Sequence, residues 1–314
     1  MNGGTVKSDI EVSDSLTIPV NPIVSVAMIT YGHEEFLAQA IESIVNQKTD
    51  FPFELIIAED CSKDRTREIA LDYQKKYPNI IRIIYSENNV GASNNFARCL
   101  YACRGQYVAI CDGDDYWNDV SKLQKQVDFL NNNSDYVVCY HDSAAVSGNG
   151  EYLAESMFEG RSNLDFTNKQ LIMFGYMPTS TILFRNVIRE LPVEYFKVTN
   201  GDAFLFSMLG NYGGAKYLDS ISPAVYRIHA GGIWSGINQF EKNIKLSESY
   251  YWMSVYYDRI LKHDIASEWA CVAMWHIASS IKIKKTVFLR WSLARSFVLF
   301  KSQFLKIFGY SGNA

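Results

Sequence analysis

The sequence predicts an α/β fold: a mostly parallel central sheet with flanking helices, followed by a helical C-terminal appendage. Two features predict the sheet. Between residues 22 and 145, β-branched apolar runs alternate with segments whose apolar residues recur at helical spacing, the pattern of strands covered on both faces. Polar and acidic clusters directly follow several of the runs, at the strand ends where such sheets gather their functional loops.

Taken in order, residues 1–21 are polar and acidic and read as a flexible arm without a secretory leader. "IVSVAMIT" is a strand, and in "EEFLAQAIESIVNQ" the spacing of Phe36, Leu37, Ala40, Ile41, Ile44 and Val45 predicts a helix. "FELIIAED" is the second strand, an amphipathic stretch from Lys63 to Tyr77 the second helix, and "IIRIIY" the third strand. "SNNFARCLYAC" leads helically into "QYVAICD", after which "VSKLQKQVDFL" and "YVVCYHD" repeat the pattern. Residues 146–240 are less regular: a loop or small helical excursion returns to a strand near "STILF". "GDAFLFSMLGNYG" then reads as a helix beginning near Asp202, and "AKYLDSISPAVYRIHAGGIWSG" supplies a short strand or two. The expected division is therefore an arm (1–21), an α/β domain (22–240, with 22–145 its regular part and 146–240 its less regular part) and a helical region (241–314).

Composition narrows the function. A charged fraction of 20% and a hydrophobic fraction of 48% describe a globular chain, and a net charge of −4 offers no basic face for a nucleic acid. The six cysteines have no CxxC spacing and read as reduced thiols, as expected of a cytoplasmic protein. No GxGxxG follows the first strand and no GxxxxGK[ST] occurs, so a bound nucleotide has to be held by side chains and a cation.

"YVAICDGDDYWND" carries an apolar run into Asp112, Asp114 and Asp115. A solvated turn explains three neighbouring acids, and so does a site neutralised by a cation. Thr30 and Tyr31, Glu59 and Asp60, and the 112–115 acids all fall at the ends of strand-like runs, which favours a cleft. Asp202 at a helix start is explained equally well by interaction with the exposed N–H groups there. His229 lies on no helical apolar face, which lowers its chance of being a core histidine.

Together, "VSVAMITYGHEEFLAQAIESIVNQ", "ELIIAEDCSKDRT", "NNVGASNNFARCLYACRGQYVAICDGDD", "GDAFLF" and "YRIHAGGIWSG" resemble the family 2 glycosyltransferases, especially bacterial enzymes that build surface polysaccharides. The resemblance runs through residues 22–240 and lies in the ordered combination of motifs. It implies a GT-A fold, a nucleotide-sugar donor, a divalent cation and inversion at the transferred anomeric carbon. Residue by residue, it implies that Thr30 and Tyr31 border the base, that Asp60 contacts the base, and that Asp112 lies near the ribose and cation. It makes Asp114 the metal-facing carboxylate, Asp202 the acceptor-side base, and His229 a group near the cation or diphosphate. Glu59 stands where many members carry Asp. The QxxRW pattern of processive members is absent after Asp202, which favours one sugar per binding event.

Oxygen ligands and a diphosphate suit Mg²⁺ or Mn²⁺, and an imidazole from His229 tilts the choice toward Mn²⁺. Arg227 can add positive charge for the diphosphate or serve as a structural pairing residue. The expected donor is a UDP-sugar and the expected acceptor a saccharide or lipid-linked saccharide. After Leu261, eight basic residues stand against two acidic ones, interleaved with Trp291, Phe297, Phe300, Phe304 and Phe308. That pattern fits peripheral contact with the inner face of the plasma membrane, or a helical appendage packed on the catalytic domain or another subunit. Two other functions stay open: a sugar-phosphate nucleotidyltransferase and a nucleotide-sugar-binding module without turnover.

Overall fold

A computed structural model of the chain describes residues 10–159, 164–232 and 236–280. They divide into two compact units. The first takes the chain up to Phe158 together with Met177–Glu190 and Ala215–Gly231; the second takes Glu159–Tyr176, Leu191–Gly214 and the chain from Gly232.

The first unit is built on strands β1 (Ile10–Val12), β2 (Val24–Thr30), β3 (Phe53–Glu59), β4 (Ile81–Tyr85), β5 (Tyr107–Ile110), β6 (Tyr136–Tyr140), β7 (Ser143–Ser147), β8 (Tyr152–Ala154), β9 (Leu183–Arg185), β10 (Gly214–Tyr217) and β11 (Ala224–Ile228). Eight of them form one sheet in the order β1-β4-β3-β2-β5-β9-β6-β10, and β11-β7-β8 form a second. The pairs β2–β3, β3–β4 and β2–β5 are parallel, connected through helices α1 (Leu37–Val45), α2 (Thr66–Lys76) and α3 (Ala92–Ala102), with α4 (Lys122–Asn132) after β5. The chain steps from β2 outward to β3 and β4, then returns to place β5 on the other side of β2. That reversal opens a crevice beyond the carboxyl ends of β2 and β5, where sheets of this type bind ligands.

Local sequence explains these elements well. Every residue of β3 is buried, as a continuous apolar run in a covered parallel strand requires. In α1 the buried residues are Leu37, Ala40, Ile41 and Ile44, one face of a 3.6-residue period, packed with Val26, Met28, Leu55 and Ile57. Truncating Ile41 to Ala would cost about 2–5 kcal/mol through lost burial and the cavity left behind.

Three features depart from the sequence-based expectation. Residues 10–12, expected in a flexible arm, pair antiparallel with β4, and Glu11 reaches Arg82 at 2.8 Å. The strand expected near "STILF" forms, but it departs from the mostly parallel pattern. As β9 it inserts between β5 and β6, antiparallel to both. Finally, residues 159–176 and 191–214 do not belong to the same compact unit as 22–158, but to the unit that holds the C-terminal helices.

In the second unit, α5 (Asn168–Phe174) opens on a capping box of Thr167 and Gln170. It is followed by α6 (Gly201–Leu209), α7 (Gln239–Arg259) and α8 (His263–Ser280). The mostly apolar α6 is buried from Phe204 to Leu209, packed by α5 and reached by α7: Ser207 hydrogen-bonds the Tyr257 hydroxyl at 2.7 Å, and the Phe204 and Tyr256 rings lie 5.3 Å apart. Ser247 ties α7 to α8 through the Ala273 carbonyl at 2.8 Å. The C-terminal region is thus helical through Ser280, and the basic aromatic tail lies outside the described residues. No helix among the described residues is long and apolar enough to cross a membrane.

Candidate active site beyond β2 and β5

The acidic motif after β5 is a continuation of the strand. Cys111 and Gly113 donate their N–H groups to the carbonyls of Ala27 (3.1 Å) and Ile29 (3.0 Å), so the backbone stays stitched to β2 past the last paired residue. Gly113 sits so close to that strand that a Cβ there would lie 2.6 Å from Thr30 Oγ1 and 3.0 Å from His33 Nδ1. A side chain between the two acids would therefore displace the groups that face them.

The three carboxylates have different surroundings. Asp115 turns inward, is 5% exposed, and accepts the Arg227 N–H at 3.0 Å. Burial pushes its carboxyl well above the usual range, and the neighbouring Asp114 and Asp112 add to the shift. Asp114 faces two imidazoles: its Oδ2 lies 3.0 Å from His229 Nε2 and 3.6 Å from His33 Nε2. Burial alone would raise the Asp114 carboxyl, but the His229 hydrogen bond and the neighbouring His33 outweigh it and hold it below the ordinary value. Asp112 is partly buried, and its carbonyl accepts the Asp115 N–H at 3.1 Å.

His229 arrives from a distant part of the chain. β11 pairs in parallel with β7, and a bridge between Tyr116 and Val225 holds β11 against the acidic loop. The Phe36 ring packs on His229 with 4.9 Å between centroids. Arg227 has a structural part here. Its Nε donates to the Asp114 carbonyl at 3.0 Å, its Nη2 donates to Gln39 at 2.8 Å, and its guanidinium lies over the rings of Phe36 (4.6 Å) and Tyr116 (5.5 Å).

His33, Asp114 and His229 offer two nitrogens and one oxygen, all within 4.8 Å of one another, and are the one such cluster among the described residues. This set fits a divalent cation. Its two imidazoles favour a first-row transition ion such as Mn²⁺ over Mg²⁺, which prefers oxygen. Burial lowers the His33 pKa, which keeps the ring neutral and able to ligate. His33 Nδ1 lies 3.2 Å from Thr30 Oγ1; with the proton on Nδ1, the Nε2 lone pair faces Asp114. Gly231 N–H donates to His229 Nδ1 at 3.3 Å, a contact to be surrendered if His229 Nε2 took a cation, because Nδ1 would then carry the proton.

Sequence reasoning missed His33. The available signal was a histidine three residues past Thr30, beside a strand end already marked as part of the cleft. Of the other sequence-designated residues, Thr30 is buried with its hydroxyl on His33, while Tyr31 is 45% exposed. Asp60 is buried at the end of β3, and its two oxygens accept the N–H groups of Val90 (2.7 Å) and Gly91 (2.9 Å), fixing the loop that enters α3. Glu59 is buried against Arg67 at 2.5 Å.

Asp202 belongs to the second unit, in the first turn of α6. Its Oδ1 accepts the Ala203 N–H at 2.8 Å, the helix-start role foreseen from sequence. Burial nevertheless raises its carboxyl above the ordinary value, against the pull of the Ala203 amide and its own.

Similarity to known proteins agrees with this picture. The family described as glycosyl transferase family 2 matches residues 25–191. An uncharacterized protein of Mycobacterium tuberculosis, Rv1520, is 34% identical over 213 residues, covering 67% of this chain and 60% of its own length. The dTDP-rhamnosyl transferase RfbG of Shigella flexneri is 27% identical over 248 residues, 71% of this chain and 76% of that protein. The chain thus spans about 60% of the length of the mycobacterial relative. Among solved structures, S. aureus TarS 1-349 in complex with UDP-GlcNAc superposes with a TM-score of 0.56 at 20% identity, over 86% of this chain and 76% of that one. The mannosyltransferase PcManGT from Pyrobaculum calidifontis, in complex with GDP-Man and Mn²⁺, gives 0.55 at 14% identity, over 91% and 81%. The solved structures match in fold, the GT-A-like arrangement of a mostly parallel sheet and helices, and with the family match over residues 25–191 they lead to one conclusion: the chain belongs to glycosyl transferase family 2.

Proposed function

We propose that the chain is an inverting glycosyltransferase that moves a sugar from a nucleoside-diphosphate donor, a UDP-sugar by preference, to a hydroxyl of a saccharide or lipid-linked saccharide. The observation that carries this reading is the His33–Asp114–His229 cluster at the switch point of a family 2 sheet. Thr30, Tyr31 and Asp60 stand at neighbouring strand ends, where a nucleoside would lie along the crevice, and Asp112 precedes the cluster as a ribose- or cation-facing acid. A divalent cation held by Asp114 and the two histidines would offset the charge of the leaving diphosphate.

In the transfer, the acceptor oxygen attacks the anomeric carbon as the bond from that carbon to the diphosphate oxygen breaks. The bonding pair leaves with the diphosphate, and the hydroxyl proton passes to Asp202. One displacement turns the carbon over once. A carboxyl raised by burial is a stronger base than an ordinary aspartate, which suits this role. Family membership disfavours the nucleotidyltransferase alternative. The relatives' names carry dTDP, UDP and GDP, so UDP is preferred here on the TarS complex.

The test is nucleotide release from a panel of nucleotide sugars by the purified chain with Mn²⁺, with NMR assignment of the product's anomeric linkage. Asp202→Asn keeps the size and the helix-start hydrogen bond but not the basicity. It is expected to lower kcat about 100-fold or more while calorimetric donor affinity is kept. Near-normal turnover, or a product that retains the donor's configuration, would reject the mechanism.

Peripheral contact with the cytoplasmic face of the membrane is part of the proposal. Met274, Trp275 and Ile277 are exposed on α8 just ahead of the basic aromatic tail. Deleting residues 282–314 is expected to weaken flotation with anionic vesicles more than it alters donor binding; equal flotation would remove the membrane reading.

A further inference from the structure

The hydroxyl of Ser249 in α7 is buried and accepts hydrogen bonds from two consecutive backbone amides, Thr199 (3.1 Å) and Asn200 (3.3 Å). It donates its own proton to the Lys245 carbonyl at 2.9 Å. A mid-helix serine commonly returns its hydroxyl to the carbonyl four residues back. Here the remaining lone pairs hold a separate segment, the two residues that lead into α6. Asn200 flanks that helix without a side-chain cap, and Asp202 is the helix's second residue. The next residue along α7 lies in the same region: the Asn200 side chain and the Asp202 carboxylate both act on the Tyr250 hydroxyl, and burial with the Asp202 charge pushes its pKa up to about 12. The Tyr250 ring is itself fixed by α8, stacked on Trp269 at 5.1 Å with 18° between the planes and 5.3 Å from His276.

We infer that Ser249 is a positioning residue for Asp202 and that Tyr250 borders the same carboxylate, so that the C-terminal helical hairpin is a working part of the transfer machinery. The inference rests on Asp202 as the base. The family match ends at residue 191, so both the base-bearing helix and the residues that hold it lie beyond it. Losing both lone-pair contacts frees the two amides to turn toward water. A misplacement of about 1 Å at a reacting group can cost about 100-fold in rate.

The test uses the full chain with Ser249→Ala, Ser249→Thr and Tyr250→Phe, and Asp202→Asn as reference. Amide exchange over residues 199–203 is expected to quicken about 10-fold or more in Ser249→Ala and to return toward wild type in Ser249→Thr. With the nucleotide sugar that turns over fastest in the panel, kcat is expected to fall about 10-fold or more at unchanged donor KM. Calorimetric affinity for UDP with Mn²⁺ should stay within about twofold of wild type. Unchanged exchange in Ser249→Ala overturns the inference, as does faster exchange with unchanged kcat, which would leave a purely structural serine. If Ser249→Ala does not fold, Tyr250→Phe carries the test, since it removes one hydroxyl and keeps the stacked ring; unchanged kcat there overturns the role of α7 at the carboxylate. If Asp202→Asn itself turns over normally, the base assignment fails, while the exchange data still decide whether Ser249 holds the segment.

Discussion

Two acidic sites in the first unit handle charge in opposite ways. Glu54, the second residue of β3, is fully buried and completely matched. The Ser25 hydroxyl donates to it at 2.7 Å, Arg82 Nη1 at 3.1 Å, Arg104 Nε at 3.0 Å and the Arg104 backbone N–H at 3.1 Å. Beyond the end of β5, Asp114 faces two histidines, and the neighbouring Arg227 guanidinium gives its side-chain donors to the Asp114 carbonyl and to Gln39. A carboxylate whose charge is met by fixed cations has no capacity left for a ligand. A carboxylate that faces imidazole nitrogens, themselves able to ligate, retains that capacity, and the difference marks one site as structural and the other as a place for a cation.

Paired substitutions separate the two. Asp114→Ala is expected to lower transfer by about 100-fold or more with little change in stability. Glu54→Gln is expected to leave the activity of the folded fraction intact while costing about 3–5 kcal/mol, because Arg82 and Arg104 lose their buried partner. Urea unfolding alongside turnover checks both; a stable, active Asp114→Ala would erase the contrast.

A smaller effect sharpens the cation assignment. His33→Ala is expected to weaken Mn²⁺ binding roughly 10-fold or more, read by calorimetry without any nucleotide. Equal affinity would leave Asp114 and His229 as the ligands and His33 as a neighbour.

The smallest effect concerns a third buried charge. Lys122 lies 4.0 Å from the centre of the Trp117 ring and donates to Gln126 Oε1 at 2.7 Å, and among the described residues no carboxylate pairs with its ammonium. Burial lowers its pKa to about 7. Between about 7 and the ordinary lysine value near 10.5 the unfolded chain binds the extra proton, so the cost of burying Lys122 is full below about pH 7 and fades as pH rises. Lys122→Met is expected to be more stable than wild type by about 1–3 kcal/mol at pH 7, with the gain shrinking toward pH 10. A gain that stays constant with pH would show that the folded and unfolded chains bind the Lys122 proton equally, so that burial does not lower its pKa.

Much of the first unit was legible from local pattern. The runs that became β2 to β6 and the periodic segments that became α1 to α4 lie where alternation and spacing placed them, since each is encoded within a dozen residues. The carboxylates at the strand ends were legible for the same reason. The roles assigned to Asp114 and His229 came from resemblance, because nothing local joins two residues 115 positions apart. His33 went unread because a lone histidine carries no periodic signal.

By itself, then, the sequence determined the α/β alternation, the acidic loop after β5 and the membership in a family of sugar-transferring enzymes. Only the tertiary structure decided that β9 slips between β5 and β6, that Arg227 is occupied by Gln39 and the Asp114 carbonyl, that Asp60 holds the Val90–Gly91 amides, and that α6 travels with the C-terminal helices. The physical reason is range. Backbone preference and amphipathic spacing act over a few residues, whereas a hydrogen bond such as Ser249 to Thr199, 50 positions away, exists only once the whole chain has chosen its path.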